Sequence, residues 1–257
     1  MLIVVKRFNE GLLTLGEMAM LLWEAVASLC RQRLNFGDLI HQLYQIGAKS
    51  QSVVLITGAF TGMVLAAQTY LQFHKVRMDT ATMAVVSVSM LSQLGPVLTG
   101  LMVAGRVGAS IAAELGTMKV TEQIDALRTL ATHPVDYLVL PRLTAATIAL
   151  PLLTAEAMAI GIGAGYYTTT VLLGVDPAYT WEWVLKYTVP NHLYGGLFKA
   201  TFFGAIIALI ACYKGLHCGE GAEGVGHATT EAVVIASISI LISNFFLTLF
   251  VGRIFAP

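Results

Sequence analysis

His217, Cys218 and His227 fall within one short stretch and are residue types that bind zinc. A zinc site takes three or four ligands at ordered spacing, and no fourth candidate stands near these three, so no metal site is expected. Between them, Gly219-Glu-Gly-Ala-Glu-Gly224 fits the G-x-G-x-x-G pattern of a dinucleotide loop. That loop needs a preceding strand and a helix N-terminus aimed at a pyrophosphate. Here an apolar helical stretch precedes it, and Glu220 and Glu223 would repel phosphate. The stretch reads instead as a flexible turn before a helix capped by Thr229 or Thr230. Gly47-Ala-Lys-Ser50 lacks the spacing of a phosphate-binding loop, G-x-x-x-x-G-K-[ST]. Cys30, Cys212 and Cys218 form no spaced framework and read as unpaired thiols. Neither a Ser–His–Asp order nor a pair of carboxylates on one buried face emerges, so no catalytic residue is nominated.

Lys199 and Glu156 are different, because each interrupts an apolar run. An ionisable group at membrane depth costs several kcal/mol unless it is paired or hydrated, and so faces a cavity or a partner helix. The alternative is a side chain that snorkels to the nearest interface. Uncharged polar groups also punctuate the apolar runs. Gln68 and Gln72 share a helix face with Leu65, Phe73 follows, and Gln93 and Leu94 precede Pro96.

The elements that must position these groups follow from composition. The chain has 257 residues, of which 56% are hydrophobic and 12% charged, with a net charge of zero. Soluble domains carry about 25% charged residues. Charge-free runs extend over Ser50–Phe73, Thr80–Gly105, Ala157–Val175 and Ala232–Gly252, and Lys199 alone interrupts a further one from Tyr187 to Tyr213. A helix needs about 20 apolar residues to cross the hydrocarbon core. The fold class is therefore all-α, a polytopic membrane protein of one domain over 1–257, with five spans at about 50–74, 80–113, 138–173, 187–214 and 229–254. Residues 1–33 place Glu10, Glu17 and Glu24 at heptad spacing, and this segment is expected to lie in the headgroup plane. Its basic residues follow an apolar run, the wrong order for a cleavable signal. Zero net charge implies no nucleic-acid partner. Assigning Lys and Arg to the two sides gives ten against four if the N-terminus is cytoplasmic, with Lys199 at membrane depth.

Gly58–Gly62 and Gly161–Gly165 are both G-x-x-x-G, and Gly100, Ala104 and Gly108 form a small-residue ladder. Pro96 and Pro151 fall inside spans and are expected to kink them. The halves show no repeat, which weakens an ion-coupled secondary transporter or channel as the alternative. Five spans are few to enclose a path, so a homodimer is expected.

One polar island remains. Glu114 to Arg142 holds seven of the thirty Asp, Glu, Lys and Arg residues. Within 117–133 the pattern is a short amphipathic helix: Val120, Ile124 and Leu127 on one face, Glu122, Asp125 and Arg128 on another, with His133-Pro134 as its stop. Such a helix is too short to stand alone in water and must dock on something.

Leu94-Gly-Pro-Val97, the segment from Ala104 to Leu127, Pro141-Arg142, Leu150 to Thr154, and Gly221 to Val234 resemble the permease subunits of MCE-associated ABC transporters, the MlaE family. The resemblance spans about Gln42 to Phe250. It implies a phospholipid substrate, a bacterial inner-membrane location, a separate cytoplasmic ATPase that holds ATP and Mg, a periplasmic MCE-domain partner and a possible small cytoplasmic accessory subunit. No cofactor is implied in this chain. The island would be the coupling helix, with Glu114, Val120, Glu122, Gln123, Ile124, Asp125, Leu127 and Arg128 contacting or anchoring against the ATPase, and with Glu114 and Arg106 paired at the junction. The lipid would meet Leu65, Gln68, Gln72, Phe73, Gln93, Leu94, Lys199 and Asn244. The chain departs from the family at Gln93 and Asn244, where relatives are often acidic, so amide hydrogen bonds are expected around Lys199 in place of a charge network.

Overall fold

The computed structural model describes residues 2–31, 36–130 and 133–254, with side chains over 13–28, 36–130 and 133–253. Every element among the described residues is helical. The order is α1 (Leu2–Arg31), α2 (Phe36–Val76), α3 (Asp79–Val120), α4 (Gln123–Thr129), α5 (Val135–Leu172), α6 (Pro177–Tyr187), α7 (Pro190–Leu216) and α8 (Gly221–Arg253). Five of these, α2, α3, α5, α7 and α8, are long and apolar enough to span a membrane.

The fourth span is central and the fifth peripheral. In its most apolar window α7 is 61% buried within the chain, whereas α8 is 11% buried. Phe203, Ile207, Leu150, Leu115, Val103 and Ile240 fill the main core between α3, α5, α7 and α8. A smaller cluster of Ala66, Met83, Val86, Met90 and Val184 lies between α2, α3 and α6, with Leu65 and Leu94 packed against it.

The two G-x-x-x-G motifs meet each other. A Cβ on Gly62 would stand 1.9 Å from the Gly161 carbonyl oxygen, and one on Gly58 would stand 2.8 Å from that of Ala157. The absence of side chains there lets α2 and α5 touch backbone to backbone, the contact available to helices that gain nothing from apolar burial in lipid.

Several boundaries differ from those read in the sequence. The second span runs on to Val120, through the start of the polar island, and only Glu122 in left-handed conformation (φ 59) breaks it. Val120 therefore ends one helix while Ile124 and Leu127 belong to another, so the three do not form a single stripe. The fifth span starts at Gly221, not near 229, and Thr229 and Thr230 sit inside it, both donating to the Gly226 carbonyl. The glycines there serve a tight corner: Gly221 has φ +70, and a Cβ on Gly224 would meet Gly219 backbone at 2.4 Å. Pro151 lies in a helix that continues unbroken from Leu140 to Tyr167.

α1 is outside the five spans. It turns Met18, Leu21, Ala25 and Ser28 onto the bundle while Leu15, Trp23 and Val26 stay exposed. Glu17 accepts a hydrogen bond from the Tyr213 hydroxyl of α7. Glu10 and Cys30 lie outside the described side chains.

The glycine contact yields a test. Gly62→Ala should lower the bundle's stability by roughly 1–3 kcal/mol, the usual cost of overpacking. Gly163→Ala, with nothing within 4 Å of the new methyl, should leave it unchanged. Thermal unfolding in detergent, followed by size-exclusion chromatography, compares the two; equal behaviour would contradict the close approach.

Candidate functional site

Lys199 sits on α7 and is 2% exposed. Its Nζ donates to the Ser92 carbonyl at 2.9 Å, to Gln93 Oε1 at 3.2 Å and to Thr248 Oγ1 at 2.9 Å. Three spans thus meet at one ammonium, and snorkelling is excluded.

The local sequence explains why these acceptors are available. Pro96 has no N–H, so the carbonyl four residues earlier, Ser92, lacks its ordinary helical donor. The helix is also wound as a π-turn over Met90–Leu94, just before Gly95-Pro96. The freed carbonyl is the one Lys199 takes. Two adjacent glycines bring α7 close enough: a Cβ on Gly196 would lie 2.1 Å from the Leu91 carbonyl oxygen, and one on Gly195 2.7 Å from Val251 Cγ1.

Around the ammonium, amides and hydroxyls close the network. Asn244 Nδ2 donates to Gln93 Oε1 at 3.2 Å, Gln93 Nε2 donates to Thr248 Oγ1 at 3.2 Å, and Thr248 also reaches the Asn244 carbonyl at 2.6 Å. Ser92 Oγ and His192 Nδ1 lie 3.1 Å apart. None of the five ion pairs among the described residues includes Lys199. The expected replacement of a charge network by amide hydrogen bonds is what the geometry shows. A cavity of about 310 Å³ opens beside the cluster, lined by Ser92, Gln93, His192, Lys199, Thr248 and Val251 among others.

Not every residue nominated from sequence joins this cluster. Gln68 and Gln72 are exposed on α2, Phe73 is half-buried near its end, and Leu65 and Leu94 pack into the Met83–Met90 cluster. Thr248 and His192 were missed. Thr248 follows Asn244 by four residues in a charge-free span, the same spacing that singled out Gln68 and Gln72. Glu156 is half-buried on α5, and its Oε2 is buried with no hydrogen-bond partner.

The other end of the bundle carries the charged junction. Glu114 Oε1 pairs with Arg142 Nη2 at 2.9 Å, and Arg142 is 4% exposed, its Nη1 donating to the Leu138 carbonyl at 2.6 Å. Glu114 is therefore not paired with Arg106, which donates to Ser50 Oγ at 2.9 Å. The reason is depth: Arg142 is buried in α5 and needs a counter-charge, whereas Arg106 reaches a hydroxyl on its neighbour α2. On α4, Ile124 is buried and Leu127 half-buried against the core, while Glu122, Gln123, Asp125 and Arg128 are exposed, as is Val120 at the end of α3. Asp125 and Arg128 pair at 3.0 Å. Lys119 donates to the Cys218 carbonyl at 2.9 Å, tying α3 to the α7–α8 corner. Cys218 Sγ reaches the Gly116 carbonyl and His217 Nδ1 lies 2.9 Å from that of Tyr213, so both have local partners.

The described residues thus form a helical bundle with five candidate spans, a buried lysine bonded to two neighbouring spans and a short helix at one end. Residues 39–250 match the permease MlaE family. The chain is 46% identical over 245 residues to a "Probable ABC transporter permease protein" of Rickettsia conorii, covering 95% of each. A protein of the same description from Synechocystis is 42% identical over 216 residues, 84% of this chain and 82% of that one. The intermembrane phospholipid transport system permease protein MlaE of Haemophilus influenzae is 35% identical over 236 residues, 91% of this chain and 90% of its own. The chain belongs to the MlaE permease family and is an ABC transporter permease.

The junction predicts an asymmetry. Arg142→Met strands the Leu138 carbonyl and Glu114, and should cost roughly 2 kcal/mol. Glu114→Gln removes the more exposed partner and should cost under about 1 kcal/mol. Labelling of the buried Cys212 and Cys218 by a thiol dye during heating reports both; an equal or reversed order would refute the assignment.

Proposed function

We propose that this chain is the permease subunit of a phospholipid transporter of a bacterial inner membrane. It works as a homodimer, is driven by a separate cytoplasmic ATPase that binds ATP and Mg, and exchanges lipid with a periplasmic MCE-domain protein to maintain outer-membrane lipid asymmetry. A small cytoplasmic accessory subunit completes the assembly in this reading. The observation that carries it is α4: its apolar side is tucked into the bundle and its polar side is turned out. The chain has no G-x-x-x-x-G-K-[ST] loop of its own. The Haemophilus relative's description supplies the substrate class.

In mechanism, the ATPase grips Glu122, Gln123, Asp125 and Arg128, with exposed Val120 beside them, while Ile124 and Leu127 carry the push into α3 and α7. Glu114 and Arg142 stiffen the junction, so the push moves helices and does not bend the connection. ATP binding then shifts the dimer between states of different lipid affinity. The lipid path includes the Gln93–Lys199–Asn244 cluster. Leu65, Gln68, Gln72, Phe73 and Leu94 line it along the first and second spans at the dimer interface. The weakly buried α8 leaves apolar surface for a second copy.

Glu122→Lys combined with Asp125→Lys should cut co-purification of the ATPase and lipid transfer by at least about tenfold, since like charges now oppose the groove that received acids; survival of both would remove the coupling role. For orientation, a cysteine at Leu130, 75% exposed, should react with a membrane-impermeant maleimide only in permeabilised cells. One at Val76, 63% exposed, should react in intact spheroplasts; the opposite pattern would invert the topology.

A further inference from the structure

The cavity beside Lys199 differs from the other described cavities in its charge. Among its ten lining residues there is no Asp or Glu; the ionisable groups are Lys199 and His192. The other three cavities each include at least one carboxylate, among them Glu24 and Asp125, Glu114, and Glu231. Gln93, which accepts from Lys199, and Asn244, which donates to Gln93, are amides, and the hydroxyl and carbonyl that complete the lysine's shell are neutral. A buried ammonium without a counter-ion sets up a positive potential that low-dielectric surroundings screen poorly.

Resting on the phospholipid reading above, we infer that this cavity receives an anionic phosphate and selects lipids whose headgroup carries a net negative charge, a phosphodiester without an amine, over zwitterionic ones. Both classes bring the same phosphodiester. A zwitterionic headgroup also brings an ammonium into a cavity whose fixed groups are Lys199 and His192, with no carboxylate to receive it, and like charges oppose each other there. All three Lys199 protons are directed at protein acceptors, so the lysine acts through its field over the cavity. A direct donor to the phosphate comes from the rim, where His192 stands. The cavity, at about 310 Å³, is of headgroup size, and the acyl chains stay outside it.

The test uses the full chain purified in detergent and titrated calorimetrically with dihexanoyl phosphatidylglycerol, dihexanoyl phosphatidylethanolamine and inorganic phosphate. Phosphatidylglycerol should bind on the order of tenfold more tightly than phosphatidylethanolamine. Gln93→Glu, which gives Lys199 a counter-charge and keeps the packing, should bring that ratio to about one. Lys199→Gln should do the same by removing the field. Equal affinity for the two lipids in the native chain, or a ratio unchanged in Gln93→Glu, overturns the charge selection while leaving phospholipid transport standing. Binding of neither lipid overturns both, and binding of inorganic phosphate alone would assign the cavity to a free anion.

Discussion

A lysine ammonium inside an apolar helix bundle must find an acceptor for each of its protons, and that requirement fixes one point on three spans. Lys199 on α7 takes a carbonyl from α3, an amide from α3 and a hydroxyl from α8. Pro96 makes the carbonyl available by lacking an N–H of its own. Gly195 and Gly196 let α7 approach the helices on either side of it. The fifth span, only 11% buried in its apolar window, is held at this depth by side-chain hydrogen bonds as well as by packing. Removing the hub would leave α8 attached through Ala228, Ala232, Ala236 and Ile240 on its buried stripe and through the Lys214–Glu231 ion pair.

The hub and α4 lie at different depths along the same long helices. Seventeen residues separate Lys199 from Leu216, roughly 25 Å at the rise of an α-helix. Rigid elements are suited to carrying a displacement over that distance. α3 contains both the Ser92–Gln93 acceptors and, at its far end, the Glu122 break that turns the chain into α4. α7 contains Lys199 and, at its far end, Tyr213, which holds α1 through Glu17. In the proposed mechanism, a force applied at α4 therefore reaches the hub through helices that already meet there.

Much of the fold was legible because lipid enforces simple rules. Each charge-free run became a span, and both G-x-x-x-G motifs became the α2–α5 contact. The boundaries were less legible. A helix leaving the membrane changes composition without changing conformation, so α3 continued to Val120 and α8 began at Gly221. At the site, Lys199 and Gln93 stood out because polar groups interrupt apolar runs, and Asn244 came from the family resemblance. Thr248 and His192 were passed over because hydroxyls and end-of-span histidines look unremarkable one at a time. The Glu114–Arg142 pair was misassigned to Arg106 because sequence distance gives no depth. Gln68 and Gln72 form a stripe as expected, yet within one chain the stripe stands apart from the hub.

In the proposed mechanism the lipid headgroup meets the bundle at Lys199. Cryo-electron microscopy of the ATPase-bound complex in lipid nanodiscs tests it most directly. Phosphate density is expected in the cavity bounded by Gln93, His192 and Thr248, within about 5 Å of the Lys199 ammonium, close enough for its charge to act with little screening. Headgroup density lying instead against Gln68 and Gln72, with the Lys199 cavity holding only protein and water, would contradict it.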